Sequence, residues 1–207
     1  MKRTLILTTI TVMLLSFSSC LTTLYPLFKP EDLTFDDRLL GNWGTGSSGD
    51  VVTFERGSQQ LFSELPAGLQ FLAGKAYLVT SRDNEGEIRQ RYYAFLFRID
   101  GNLYMDYYPA ATPEIQTYSP FYVAHFVRLH SLYKFKMDNP QTFEIKQFDS
   151  GYMSELINNK QVRIRHERNA DGGILITAST AELQDYVKKY GDVPGAYEDP
   201  GTYKKLN

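Results

Sequence analysis

The chain is poor in the residues that build most catalytic and metal centres. It has one cysteine and three histidines among its 207 residues. A lone cysteine cannot form an internal disulfide. The sequence also lacks the Gly-x-x-x-x-Gly-Lys-Ser/Thr loop, the His-Glu-x-x-His pair and the Gly-x-Ser-x-Gly turn that mark common enzyme classes. We therefore expect no enzymatic activity, no cofactor and no bound metal ion.

The few metal-ligating residues that are present have simpler explanations. His125 and His130 are five positions apart, so on a strand they point to opposite faces unless a bulge intervenes. We expect the histidines to lie at strand surfaces or in the core with satisfied hydrogen bonds. The acidic run 83–87 has carboxylates that can bind calcium, but its spacing fits no known calcium loop and is explained by a hairpin turn.

The sequence has no apolar run long enough to remain in a membrane. The longest run covers residues 5–15, follows Lys2 and Arg3, and is interrupted by threonines. A membrane-spanning helix needs about 20 mainly apolar residues. Charged residues, then an apolar run, then small residues are typical of a secretory signal, so we predict that residues 1–19 are removed.

Cys20 directly follows this signal. Phe17-Ser18-Ser19-Cys20 resembles the lipobox of bacterial lipoproteins, although that family more often has Leu where Phe17 stands. The resemblance implies that the Cys20 thiol is acylated and that the mature chain is anchored to a membrane without spanning it. Leu21 stands where some bacteria use Asp to retain lipoproteins in the inner membrane, so we expect the outer membrane of a cell envelope. A free thiol after ordinary signal cleavage is the alternative.

Charge and aromatic content indicate the class of the mature chain. The net charge of −2 becomes more negative when Lys2 and Arg3 are removed, which argues against a nucleic-acid partner. One tryptophan stands beside 15 tyrosines and 13 phenylalanines, a composition that suits β-strands. We expect one domain over residues 35–207. Residues 20–34 would form a lipidated N-terminus and linker that lies against the domain or the membrane.

The strand pattern predicts eight or nine strands, mostly joined as hairpins. A helix over 151–158 is predicted after the capping residue Asp149, and a second helix begins at the capping box Ser179-Thr180-Ala181-Glu182 and ends at Tyr190. We expect the tail 192–207 to be irregular. The predicted strands are the Trp43 segment, 51–55, 76–82, 91–99, 102–108, 121–137, 142–148, 162–167 and 174–177.

A short helical turn at 36–40 leads into Gly41-Asn42-Trp43. This entry, the tyrosine-rich meander and the helix after the last strand resemble lipocalin-like barrels, and with the lipobox they resemble Gram-negative lipoproteins that carry such a domain. The resemblance implies a mostly β fold, an antiparallel up-and-down barrel of about eight strands with a C-terminal helix. Gly41 and Trp43 would then be structural residues at the base of the barrel. A Trp at the edge of some other β core is the alternative.

Alternating apolar side chains predict the lining of this barrel. We expect a small apolar or amphipathic ligand to contact Phe95, Phe97, Met105 and Tyr107. The full set of predicted interior residues is Tyr93, Phe95, Phe97, Ile99, Leu103, Met105, Tyr107, Phe143, Ile145, Val162 and Ile164.

A barrel of eight strands is just wide enough to be filled by side chains or to hold one small ligand. If it is filled, we expect an interaction module that docks another envelope protein. If it is open, we expect the opening at the two long connections 59–74 and 109–120, with the apolar residues of the first acting as a lid.

Overall fold

The computed structural model describes residues 21–46, 49–60, 62–63, 65, 67–110, 117–168 and 173–206. The strands are β1 (Thr22–Thr23), β2 (Leu33–Thr34), β3 (Gly41–Thr45), β4 (Val51–Arg56), β5 (Ala76–Arg82), β6 (Ile88–Ile99), β7 (Asn102–Pro109), β8 (His130–Asn139), β9 (Thr142–Gln147), β10 (His166–Arg168), β11 (Ile174–Ile176) and β12 (Gly201–Lys205). The helices are α1 (Ala67–Gln70), α2 (Pro120–Val123), α3 (Ser150–Asn158) and α4 (Thr180–Tyr190), with 3₁₀ turns at Asp37–Leu39 and Ala73–Lys75.

Eight of these strands close into an antiparallel barrel. From β3 to β9, consecutive strands pair with each other, and β12 returns to lie between β3 and β9. β1, β10 and β11 extend the sheet from β8, and β2 pairs with β6. The predicted fold class, a mostly β chain with an antiparallel barrel of about eight strands, is confirmed.

Local sequence explains the hairpins. Asp100 and Gly101 adopt positive φ angles of 45° and 82°, as a two-residue type I′ turn between β6 and β7 requires. Between β5 and β6, the Asp83 carboxylate accepts the backbone N–H groups of Glu85 at 3.0 Å and Glu87 at 2.9 Å. That carboxylate therefore organises a hairpin turn.

The two longer helices begin where the sequence predicts. The Asp149 side chain accepts the Tyr152 backbone N–H at 2.9 Å at the start of α3. Ser179 and Glu182 form a reciprocal capping box at the start of α4. Both caps satisfy N–H groups that have no partner within the helix.

Three strand predictions are corrected by the structure. The tail 192–207 was expected to be irregular, but β12 completes the barrel there. Residues 121–137 are not one strand, because α2 occupies the first part and β8 begins only at His130. The strand predicted over 162–167 begins at His166.

The apolar core has two parts, one on each side of the barrel wall. The interior cluster lies inside the barrel. There Phe54 of β4 contacts Phe143 of β9, although β3 and β12 lie between these two strands in the sheet, and the ring centroids are 5.8 Å apart. The outer cluster lies between the barrel wall and the elements that cover it, which are α3, α4, the connection between β4 and β5, and residues 21–34. In that covering layer, Leu27 and Phe28 are buried, and the Phe28 ring lies 4.7 Å from Phe95.

The two long connections lie at opposite ends of the barrel, which corrects the expectation that they share one opening. In an antiparallel meander, the connection from β4 to β5 and the connection from β7 to β8 are necessarily at opposite ends. Phe62, Leu65 and Leu72 of the first connection are buried in the outer cluster, and the Phe62 ring lies 4.5 Å from Tyr93. The apolar side of this connection therefore covers the barrel wall and is not a lid.

Candidate functional site

One end of the barrel interior is filled around Trp43. The indole is fully buried, its N–H donates to the Leu39 carbonyl at 2.7 Å, and its ring meets the Phe143 ring edge-on at 4.7 Å. Lys205 closes the base from outside, with its ammonium group 5.1 Å from the Trp43 ring centroid. Gly41 begins this strand with a φ of +112°, which strains any residue that has a Cβ. We call this end the base.

The opposite end of the interior is open. Here β8 separates from β9: its first residues, His130 and Ser131, pair with β1, whereas Tyr133–Lys136 pair with β9. The separation leaves a cavity of about 610 Å³. We call this cavity the cup and this end the mouth.

Four tyrosines form the wall of the cup. Tyr92, Tyr107 and Tyr133 stand side by side on β6, β7 and β8, with ring centroids 4.5 Å apart for the first pair and 4.8 Å for the second. Tyr203 faces them from β12 and stacks on Phe143 at 4.6 Å. The tyrosine wall therefore contacts the aromatic residues that fill the base, and the cup occupies only the mouth end of the barrel interior.

The tyrosine hydroxyls give the cup its polar character. Burial raises the pKa of Tyr107 well above its usual value, and the neighbouring Tyr92 and Tyr203 raise it further. Burial also raises the pKa values of Tyr92 and Tyr203. A tyrosine hydroxyl is protonated at neutral pH even at its usual pKa, and the upward shift keeps these hydroxyls protonated to a higher pH, so that they can both donate and accept hydrogen bonds.

Charges of both signs stand at the rim of the mouth. Arg89 and Arg91 lie on the β6 side, whereas Glu198 and Asp199 precede β12. Arg89 is held by Asp83 at 2.6 Å. The lining therefore changes from apolar rings and hydroxyls inside to charges of both signs at the edge, which suits an amphipathic molecule.

The four predicted ligand residues lie on both sides of the barrel wall, two inside and two outside. Met105 belongs to the interior cluster and Tyr107 lines the cup. Phe95 and Phe97 were expected to face the same interior, and this is corrected: both belong to the outer cluster. The cause is the register, which places Leu96 opposite Met105 and Phe97 opposite Tyr104, so that Phe95 and Phe97 share the outer face.

The same register corrects the wider set of predicted interior residues. Phe143, Ile145 and Leu103 do lie with the interior cluster. The residues that instead lie with the outer cluster are Tyr93, Phe95, Phe97, Ile99, Val162 and Ile164.

Sequence reasoning missed three of the four cup tyrosines. Along β8, Tyr133 and Phe135 alternate with Lys134 and Lys136, and this period-two pattern indicates that Tyr133 faces inward. Tyr203 was missed because β12 was not predicted. Tyr92 stands beside Tyr93, and a pair of adjacent tyrosines gives no indication of which one faces inward.

A second cleft is less suited to a ligand. It measures about 740 Å³ and lies beside the turn between β6 and β7 and residues 191–200. Two of its lysines are already paired, Lys134 with Asp192 at 2.5 Å and Lys136 with Asp138 at 2.6 Å.

His130 and Asp106 are both buried and form a pair that stabilises the fold. His130 Nδ1 lies 2.7 Å from an Asp106 carboxylate oxygen, and the other oxygen accepts the Leu27 backbone N–H at 3.2 Å. The pair joins the covering segment to the barrel wall. Across the described ranges, no three histidine, cysteine, aspartate or glutamate side chains come together as a metal site would need. Cys20, the predicted lipidation site, lies outside the described residues.

Comparisons with protein-family models, curated proteins and solved structures find no match for this chain. Within the part of the chain that the structure describes, none of the helices is long and apolar enough to cross a bilayer. The cup must therefore be interpreted from its own geometry.

Proposed function

We propose that the chain is a lipid-anchored lipoprotein of the cell envelope and that its cup binds a small amphipathic molecule. The observation that carries the binding proposal is the cup itself. Its volume of about 610 Å³ falls within the roughly 300–1,000 Å³ of typical small-molecule sites. A mainly apolar wall with a few convergent polar groups is also typical of such sites.

The geometry favours a molecule with a flat ring or an acyl chain and one polar end. Adjacent aromatic rings offer faces and edges for stacking, and their hydroxyls offer hydrogen bonds at fixed positions. The polar end of the molecule would then meet the rim charges of Arg89, Arg91, Glu198 and Asp199. Because Arg89 is already paired with Asp83, Arg91 faces two carboxylates, and a neutral or zwitterionic polar end is favoured over a strongly anionic one.

The membrane anchor is supported by the signal-like residues 1–19 and by the position of Cys20 directly after them. Attachment of lipid to the Cys20 thiol places the domain at a membrane surface. The mass of the N-terminal peptide from the purified chain measures this directly, because an acylated cysteine adds the mass of its lipid.

A substitution that blocks the cup tests the binding proposal. Ser131 lines the cup, so Ser131→Trp fills the cavity, whereas Thr202→Trp places the same ring on the exposed outer face of β12 as a matched control. Native mass spectrometry against phospholipids, fatty acids and aromatic metabolites should detect a ligand with the parent and with Thr202→Trp. Binding should be lost with Ser131→Trp.

An unchanged ligand affinity in Ser131→Trp would show that the ligand does not occupy the cup. If no member of the panel binds the parent chain, the second candidate function is preferred. This is an interaction module that docks another envelope protein, and the observation that favours it is the exposed apolar segment between β7 and β8.

A further inference from the structure

The connection that leads into β8 exposes an unusual amount of apolar surface. Among the described residues, ten large apolar side chains are exposed, and six of these fall between positions 118 and 127. We call residues 117–129 the aromatic segment. Its exposed apolar residues are Tyr118, Phe121, Tyr122, Val123, Phe126 and Val127.

The rings of this segment contact each other, and each of its tyrosine and phenylalanine side chains is more than half exposed. The Tyr118 and Phe126 ring centroids are 5.8 Å apart, and Phe121 lies 4.6 Å from the His125 ring. The His125 ring also meets the Phe121 carbonyl at 2.6 Å. A folded turn thus holds the rings toward water, which is unfavourable by about 25 cal/mol for each Å² of apolar surface. Such a surface indicates a partner that is also apolar.

The charge of the segment restricts the partner. Its sequence contains Arg128 and His125 but no aspartate or glutamate, in a chain that is acidic as a whole. Tyrosine and phenylalanine with a nearby arginine are the residues found where proteins enter the interface of a bilayer. An anionic lipid surface therefore complements this segment.

The position of the chain's N-terminal end favours lipid over protein as the partner. Thr23 pairs with His130 and Thr22 with Ser131, so β1 lies beside the start of β8. Arg128 is three positions from Ser131, or about 10 Å at the rise of a strand. From Thr23 the chain runs back along β8 away from the aromatic segment, so Leu21, the first described residue, is about four strand positions or 13 Å from Arg128. Cys20 directly precedes Leu21. A lipid on Cys20 would hold the β1 and β8 side of the barrel, from which the aromatic segment extends, near the bilayer.

We propose that the aromatic segment inserts into the interface of the bilayer that holds the N-terminal lipid, and that it turns the mouth of the barrel toward that surface. The proposal rests on the proposed lipid anchor. The mouth takes part because Pro109 and Ala110 before the segment and Ser131 after it line the cup. An amphipathic ligand can then pass between the bilayer and the cup with little exposure to water.

Quenching by brominated lipids tests this orientation. The full chain, purified from membranes, is placed on vesicles of phosphatidylethanolamine and phosphatidylglycerol with brominated acyl chains. Phe126→Trp reports from the aromatic segment, and Phe71→Trp is the matched control, because Phe71 is 68% exposed on the connection at the base end. Trp43 is fully buried and gives the same background emission in both variants. We expect the added emission to be lost in Phe126→Trp and kept in Phe71→Trp.

Two results would overturn the proposal. One is emission at position 126 that stays unquenched on vesicles that carry the chain. That result would favour a protein as the partner of the aromatic segment. The other is equal quenching at positions 71 and 126. The mass of the N-terminal peptide separates this test from that of the anchor. A lipidated chain without quenching refutes only the docking, whereas an unlipidated chain with quenching at position 126 alone supports the docking and refutes the anchor.

Discussion

The aromatic residues of the barrel interior differ between its two ends, with tryptophan and phenylalanine at the base and tyrosine at the mouth. At the base, Trp43, Phe54 and Phe143 pack ring against ring, and the one tyrosine there, Tyr77, bonds its hydroxyl to the Asp36 backbone, accepting its N–H at 2.7 Å. At the mouth, every large ring carries a hydroxyl. A tyrosine can wall an open cavity because its apolar body packs on neighbours while its tip meets water or a ligand.

Trp43→Ala should destabilise the chain strongly. The substitution removes a fully buried ring and leaves the Leu39 carbonyl without the indole N–H. Truncation of a buried aromatic residue to alanine costs about 3–5 kcal/mol. Equilibrium unfolding in urea, followed by circular dichroism, measures the loss.

Phe71→Ala provides the control for this measurement, because it removes a ring that is mostly exposed. Its free energy of unfolding should stay within about 0.5 kcal/mol of the parent. If Trp43→Ala behaved like Phe71→Ala, the base would not depend on the tryptophan, and the interpretation of Gly41 and Trp43 as structural residues would be wrong.

At the scale of single elements, helix α4 is held at its start by one carboxylate. Glu182 accepts from the Ser179 backbone N–H at 2.8 Å and from Arg165 at 2.7 Å. Hydrogen bonds from Arg165 and Ser179 lower the Glu182 pKa to about 2, from an ordinary value of 4.5. Because the pKa is lower in the folded chain, this stabilisation is complete above pH 4.5 and is lost as the pH falls toward 2.

In Glu182→Gln, stability should therefore depend less on pH between pH 4.5 and pH 2 than it does in the parent. We expect the variant to be less stable than the parent at pH 6 and the difference to shrink steadily from pH 4.5 to pH 2. Melting temperatures across this range measure the effect, with Glu155→Gln on the exposed side of α3 as the control. A difference that is constant with pH would contradict the role of the Glu182 charge.

Elements with a strong local signal could be predicted from sequence, and elements defined by tertiary pairing could not. Ser179 and Asp149 specify their helices by capping, and Asp100-Gly101 specifies its turn by backbone conformation. β12 has only Tyr203 as a large apolar residue, so no alternation marks it. It becomes a strand because the open edges of β3 and β9 lie on either side.

Lys204→Pro tests the role of β12 in closing the barrel. Lys204 is exposed, but its backbone lies between Gly44 of β3 and Thr142 of β9. Proline removes an N–H from this doubly paired strand and leaves a hydrogen-bond partner unsatisfied, which should cost about 1–3 kcal/mol. Lys204→Thr keeps the N–H and should leave the urea midpoint nearly unchanged, so equal midpoints for the two variants would contradict closure through β12.

At the scale of the whole molecule, the covering layer explains why the cup could not be located from sequence. β6 is buried on both faces, since Leu96 faces the interior and Phe95 and Phe97 face α4 and residues 21–34. A strand buried on both faces shows no apolar alternation, so its sequence does not indicate which side is inside. Most of the hairpins from β3 to β9 could be predicted from their turns, whereas β12, the strand that closes the barrel, could not. The closed barrel is expected only from the resemblance to lipocalin-like barrels.

The final prediction concerns the proposed membrane anchor. Each buried methylene of an acyl chain contributes about 0.8 kcal/mol, so the two or three chains of a bacterial lipoprotein hold firmly. The aromatic segment alone offers a few exposed rings. Cys20→Ser should therefore move the chain from the membrane to the soluble fraction of the cell, whereas Phe121→Ser with Phe126→Ser should leave it bound and remove only the orientation.

Fractionation followed by immunoblotting separates these cases, with the parent chain and Phe71→Ser as controls. Both controls should remain in the membrane fraction, because Phe71 lies at the base end and the Cys20 thiol is intact. A Cys20→Ser chain that stays in the membrane fraction would contradict the anchor, since the thiol would then be dispensable. Release of the doubly substituted Phe121→Ser, Phe126→Ser chain would show instead that the aromatic segment supplies most of the binding energy, and that the lipid contributes less than its acyl chains predict.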